Sequence, residues 1–148
     1  MIEYQKARFD EKTINELIEL SVKWMEEECS FGMRSNTKDD LKKPCFIAKE
    51  KNKIVGYIFG HYYKERKKIA DINKGDKCFE VDELYVLPEY RSQGIGKKLF
   101  KLMEDEVKDK ALYITLATST KNYKRILKFY VEENDMTFNS AFLIKKID

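Results

Sequence analysis

Between Val81 and Leu99 the chain passes from a strand-like run, Val81-Asp82-Glu83-Leu84-Tyr85-Val86-Leu87, through Pro88 and a loop carrying Arg91-Ser92-Gln93-Gly94-Ile95-Gly96, straight into an amphipathic helix. No other stretch restricts the fold as much. The loop must release a strand and start a helix within a few residues. The first turn of that helix therefore presents free backbone N–H groups, and the positive end of its dipole, beside the end of a strand. Gly94 and Gly96 permit a tight path and let an anion approach the backbone closely, and Arg91 and Lys97 add positive charge. The physics favours a phosphate ligand. Two other glycine motifs fail on spacing. The dinucleotide-binding pattern needs a third glycine where Leu99 stands. The Walker loop needs a longer spacer between its glycines and a Ser or Thr after its lysine, whereas here only Ile95 separates Gly94 from Gly96 and Lys98 follows Lys97.

The rest of the chain can be read around that junction. Residues 2–9 read as a strand and Asp10 as the cap of a helix whose apolar residues Ile14, Leu17, Ile18, Val22 and Met25 follow helical steps. Residues 30–37 lose that period, Asn36 or Thr37 caps a short second helix through Leu41, and Pro44 ends it. Residues 45–50 and 53–63 read as a hairpin turning at Lys51-Asn52, residues 64–77 as a polar loop and residues 79–87 as another strand. The helix from about Gly94 places Ile95, Leu99, Leu102, Met103 and Val107 on one face. Residues 112–117 are almost all apolar, which suits a strand covered on both faces in a parallel pairing. Thr120 caps a last helix with Tyr123, Ile126, Leu127, Tyr130 and Val131 inside, and residues 136–138 and 140–147 read as closing strands. The order β-α-α-β-β-β-α-β-α-β(-β) in 148 residues predicts one domain over residues 1–148, an α/β (α+β) fold with a mixed sheet and helices on both faces.

Composition narrows the function classes. The chain has 29 basic and 26 acidic residues, a formal net charge of +3, too balanced for a dedicated polyanion binder with its concentrated basic face. Cys29, Cys45 and Cys78 are far apart, there is no C-x-x-C, and His61 is the single histidine. That excludes a disulfide framework and a zinc cage, and the cysteines read as reduced, small hydrophobes of a cytoplasmic protein. The first residues, Met1-Ile2-Glu3-Tyr4-Gln5-Lys6, carry no apolar signal segment, and no run approaches the roughly 18 apolar residues of a membrane span. No metal, no nucleic acid and no membrane partner are expected.

The junction resembles the acetyl-CoA motif of the GCN5-related N-acetyltransferase (GNAT) superfamily, Q/R-x-x-G-x-G/A at a strand–helix boundary after a strand carrying acidic residues. Arg91, Gly94 and Gly96 fill its three defining positions. Asn122 and Tyr130 stand where that family has an Asn near the start of a helix and a Tyr near its end. Element order fits along the whole chain, and the N-terminal third matches in pattern only. The family's Gly-Phe after the tyrosine helix is replaced by Asn134-Asp135-Met136-Thr137-Phe138, so Asn134 or Asp135 has to take the left-handed turn conformation. The resemblance implies a mostly antiparallel mixed sheet of six to seven strands flanked by about four helices. It implies acetyl-CoA as co-substrate, with the backbone amides of Gln93, Gly94, Ile95, Gly96 and Lys97 around its pyrophosphate and Arg91, Ser92 and Asn122 beside it. Backbone groups of Leu84, Tyr85 and Val86 would pair with the pantetheine arm, which requires the sheet to splay there. Tyr130 would protonate the departing thiolate; a phenol with a pKa of about 10 is neutral at pH 7 and can donate.

An amine acceptor arrives mostly protonated, so a base is useful. Glu80, Asp82 and Glu83 lie on the strand before the loop. In a regular strand Glu80 and Asp82 share one face and Glu83 takes the other, and a bulge would change that phase. Asp82 and Glu83 therefore stand as equal candidates ahead of Glu80, with a solvated strand face as the plain alternative. None of the cysteines sits in a recognisable catalytic dyad, and His61 reads as structural. The acidic runs Glu26-Glu27-Glu28 and Asp39-Asp40 bracket the loop at 30–37 and would attract a basic acceptor. The expected function is acetyl-CoA-dependent N-acetyl transfer to a primary amine of a small molecule or peptide, by direct attack in a ternary complex. The alternative is a non-catalytic acyl-CoA-binding or sensing module on the same fold. The acceptor, the acyl preference and whether the chain forms a homodimer are open at this level.

Overall fold

The computed structural model describes residues 1–148. Five strands form one sheet in sequence order: β1 (Glu3–Lys6), β2 (Cys45–Glu50), β3 (Lys53–Lys64), β4 (Lys77–Val86) and β5 (Tyr113–Thr115). The first four pair antiparallel, and β5 runs parallel to β4. The helices are α1 (Glu11–Glu26), α2 (Ile95–Val107) and α3 (Tyr123–Leu127), the last continued by a π-helical turn over Lys128–Glu133.

Local chemistry sets several of these boundaries. Asp10 caps α1 by accepting a hydrogen bond from the Thr13 N–H at 2.8 Å. Lys51 and Asn52 have φ of 48° and 68°, the two consecutive positive values of a tight hairpin turn, achieved without glycine. The short second helix expected near residue 40 is a single 3₁₀ turn, Lys38–Asp40. There the Asp40 carboxylate accepts from the Thr37 N–H at 2.7 Å and its hydroxyl at 3.0 Å, which satisfies the turn's orphan donors and leaves little to propagate a helix.

One cluster of 22 buried residues joins the sheet to both long helices. Trp24 of α1 stacks on Tyr85 of β4 at 5.1 Å, whereas a Cβ built on Gly56 would meet Val86 and Leu99 of α2. Tyr85 and Val86 alternate across the strand, so α1 and α2 cover opposite faces. Residues 54–60 of β3 are accordingly buried without a break. The α1 core face centres on Ile14, Leu17, Leu20 and Ser21, rotated from the expected one. Ser21 is buried because its hydroxyl donates to the Ile18 carbonyl at 2.6 Å and accepts from the Asn36 N–H at 2.8 Å. Met25, expected inside, faces outward.

The sheet has five strands and the fold three helices, fewer than the six to seven and about four expected. The missing strands are residues 136–138 and 140–147, which form no regular element and pair with no strand. Strand formation needs a partner for its backbone groups, and this segment makes none of the ladder hydrogen bonds of the sheet. The turn before it does form, with Asp135 at φ 55°. Thr120 does not cap α3: Asn122 occupies that position, and Thr120 instead bridges to Ser30.

Candidate active site

β4 and β5 stay together for only three residue pairs, Cys78–Tyr113 to Glu80–Thr115. Beyond Glu80 they part. The separation coincides with a bulge in β4: Phe59 faces Glu83 and Gly60 faces Val81, so Asp82 is the extra residue. A bulge bends and twists its strand. Gly60 makes this one possible, since a Cβ there would lie 2.0 Å from the Glu80 carbonyl oxygen. The splay that the pantetheine assignment required is therefore present.

A cleft of about 990 Å³ opens where the strands part. Val81–Val86 form one side and Leu116–Thr120 the other; the start of α2, the loop at 29–34 and Tyr130 complete it. The Phe31 N–H donates to the Ser119 carbonyl at 2.9 Å, and the Lys121 N–H to the Cys29 carbonyl at 2.8 Å, fastening the loop after α1 across the top.

The glycine loop forms one end. Ser92 and Gly94 have φ of 62° and 82°, and Gly94 caps α2 in the left-handed conformation. A Cβ on Gly94 would meet nothing within 4 Å, so the backbone faces open space, as a surface receiving an anion must. Gly96 has a different reason to lack a side chain: its Cβ would lie 3.3 Å from the Phe129 ring. Ile95 is buried and anchors the turn, Lys97 lines the cleft, and Gln93 points away toward the Glu89 carbonyl at 3.4 Å.

Arg91 does not present a free charge. Its Nε donates to the Val86 carbonyl at 2.8 Å, and its two terminal nitrogens grip Glu27 at 2.9 Å each. Tyr85 donates its hydroxyl to the same Glu27, and the guanidinium lies 5.5 Å from the Tyr85 ring centroid. Arg91 thus ties the loop to the end of α1. The cation that replaces it at the loop is Arg125 of α3, whose guanidinium donates to the Ser92 hydroxyl at 3.2 Å. Sequence reading missed Arg125 because only the packing of α3 brings it to the loop. Asn122 lines the cleft with its side chain free of any capping bond.

The acids of β4 differ in their surroundings. Glu83 is held by the Tyr57 hydroxyl at 2.7 Å and the Asn36 amide at 2.9 Å, both donating to Oε1. Burial raises its pKa above the ordinary carboxylate value, only partly offset by those two bonds. Asp82 lies 2.8 Å from His61 Nδ1 and 3.3 Å from Lys42 Nζ. Glu80 is 3.8 Å from His61 Nε2. The ligand atoms of His61, Glu80 and Asp82 lie within 4.8 Å of one another, a spacing that could hold a cation, but the Lys42 ammonium already stands against Asp82. His61, read as structural, is the partner of a candidate base.

Tyr130 lines the cleft from the π-helical turn, packed on Phe100 and Phe129. Burial pushes its pKa up to about 12. Of the acidic runs flanking the loop, Glu27 is consumed by Arg91 and Tyr85, and Asp40 by Arg34 and its own cap; Asp39 and Asp40 do line the cleft. Cys45 is buried and its thiol is pushed up to about 12, which removes it as a nucleophile.

A model described as the acetyltransferase (GNAT) family matches residues 12–134. No curated protein sequence matches the chain. Among solved structures, a predicted acetyltransferase from Clostridium acetobutylicum with acetyl-CoA is 19% identical, with a TM-score of 0.68 over 99% of this chain and 96% of the other. A putative acetyl transferase from Pyrococcus furiosus is 18% identical, with a TM-score of 0.71 over 99% of this chain and 100% of the other. An aminoglycoside acetyltransferase from an uncultured soil metagenomic sample, in complex with sisomicin, is 17% identical, with a TM-score of 0.69 over 99% of this chain and 97% of the other. At these identities the likeness is one of fold.

Proposed function

The chain belongs to the acetyltransferase (GNAT) family, and from that membership we propose that it moves an acetyl group from acetyl-CoA to a primary amine of a small molecule or peptide in a ternary complex. The observation that carries this is the parting of β4 and β5 beside the first turn of α2. One arm of the cleft then offers an unpaired strand edge, and its end offers helix amides with Arg125 and Lys97 nearby. An extended amide-bearing arm terminating in a pyrophosphate has this distribution of needs. The crystal with acetyl-CoA from Clostridium acetobutylicum and the sisomicin complex support the two substrates by analogy of fold.

In this reading an open N–H of β4 polarises the thioester carbonyl while the amine attacks it. Glu83 takes the amine proton, directly or through water. Its desolvated carboxylate is a stronger base than an exposed one, and it lines the cleft. Asp82 with His61 is a second base assignment, favoured by their 2.8 Å contact. Tyr130 donates to the departing sulfur. With its pKa raised to about 12 by burial, the phenol stays protonated at neutral pH and can donate.

Thermal unfolding with acetyl-CoA, against ATP and NAD as controls, tests the reading. Ligand at 100 times its dissociation constant adds about 2.7 kcal/mol. Selective stabilisation followed by CoA release with an amine panel is the expected result. Stabilisation without release from any amine would favour an acyl-CoA sensor, and no shift at millimolar ligand would remove the assignment.

A further inference from the structure

Tyr57 and Asn36 come from different parts of the fold and converge on one atom. Tyr57 of β3 donates its hydroxyl to Glu83 Oε1 at 2.7 Å. Asn36, in the loop after α1, donates its side-chain amide to the same oxygen at 2.9 Å. Both donors are fixed. The Tyr57 side chain is fully buried and stacks on Phe59 with ring centroids 5.7 Å apart. Asn36 is buried too, and its backbone N–H donates at 2.8 Å to the hydroxyl of Ser21 in α1, which donates in turn to the Ile18 carbonyl at 2.6 Å. Glu83 Oε2 accepts from no donor. Every side-chain oxygen and nitrogen sealed from solvent has a hydrogen-bond partner, so the unpartnered Oε2 is not sealed and opens to the cleft that Glu83 lines.

We propose that Tyr57 and Asn36 are positioning residues for the transfer step: they hold Glu83 by Oε1 so that Oε2 alone is presented to the acceptor amine. The inference rests on Glu83 being the base. A carboxylate has two oxygens able to accept, and one buried for structure alone would engage both. Here both donors share one oxygen and the other stays open, as proton transfer requires. The amine nitrogen bonds the thioester carbon, its proton passes to Oε2, and the C–S bond breaks with the sulfur protonated by Tyr130. The charged neighbours of Glu83, Asp82 on β4 and Asp40 in the 3₁₀ turn, are both acids and repel its charge. The two neutral donors are therefore what aims the carboxylate. Bonds from two directions fix its plane, which a single bond would leave free to turn.

Steady-state CoA release from acetyl-CoA, with sisomicin, spermidine and an alanine-initiated peptide as acceptors, tests this through a double-mutant cycle. Tyr57→Phe keeps the ring and removes the donor. It should lower kcat roughly 10-fold, the order expected for one hydrogen bond to a charged group, and leave both KM values within about twofold. In a Glu83→Gln background the same substitution should change kcat by less than about twofold, because a residue that acts only through the carboxylate has no base left to aim. Asn36→Ala keeps the backbone bond to Ser21 and should behave alike; it carries the test if circular dichroism shows Tyr57→Phe unfolded. Unchanged kcat, equal losses in the two backgrounds, or a loss confined to KM would overturn the positioning role and leave Glu83 as the base. No release from any of the three amines, or wild-type turnover in Glu83→Gln, would remove the base itself and the proposal with it.

Discussion

Glu83 is the acid of β4 that two side-chain donors hold in place. Tyr57 from β3 and Asn36 from the loop after α1 donate to the same oxygen, and Asn36 is itself fixed by Ser21 of α1. The sign of its effect on stability follows from the raised pKa. Between the ordinary carboxylate value and the raised one, the folded chain holds a proton that the unfolded chain lacks, so stability falls as pH rises through that window. Burial makes the ionised form the costlier one in the fold. Glu83→Gln keeps an oxygen that can accept both bonds and removes the charge. Its unfolding temperature at pH 7 should equal or exceed that of the wild type, while kcat/KM falls at least about 10²-fold, the lower range for a general base. Asp82→Asn made in parallel discriminates the two acids: a larger loss there than in Glu83→Gln would move the base to the Asp82–His61 pair. Tyr130→Phe should lower turnover with little change in acetyl-CoA affinity, read by comparing initial rates with a direct binding isotherm; equal turnover in both proteins would end its role as the acid.

Among the elements, the glycine loop and the β4 bulge carry the site, and they differ in how visible they were. The loop was legible because its constraint is local: Gly94 needs positive φ and α2 needs an uncluttered first turn. Gly94→Ala incurs backbone strain of about 1 kcal/mol and leaves the open space before the helix intact. Gly94→Asp adds a negative charge there. Acetyl-CoA affinity should drop far more in the Asp variant than in the Ala variant; equal losses would mean that the loop is only a turn. The bulge was not legible. The alternation of Glu80, Asp82 and Glu83 gave no phase, because the extra residue is defined by its partner strand and by Gly60. Gly60→Ala should destabilise by about 1–3 kcal/mol in chemical denaturation, since its Cβ would meet backbone rather than a side chain that can swing away. Arg91 shows the same limit. The sequence placed its charge at the loop, and the fold spends that charge on Glu27.

At the scale of the molecule, the cleft joins segments far apart in the chain, its lining drawn from residues 29–34, 81–97 and 116–133. Acetyl-CoA should slow amide exchange at residues 83–86 and 93–97 together, read by deuterium uptake. Protection confined to 93–97 would indicate anion binding without pairing of the arm to β4. What the sequence determined alone is what depends on neighbours along the chain: helical period in α1 and α2, the Asp10 cap, the Lys51-Asn52 hairpin, the left-handed turn near Asp135 and the phosphate-suited loop. What the tertiary structure decided is where β4 leaves β5, which acid is buried, that Arg125 rather than Arg91 faces the loop, and that residues 140–147 find no strand to join. Each of these is a relation between residues brought together only by packing. Burial and pairing set their charge state and their partners, and neither quantity exists until the sheet has formed.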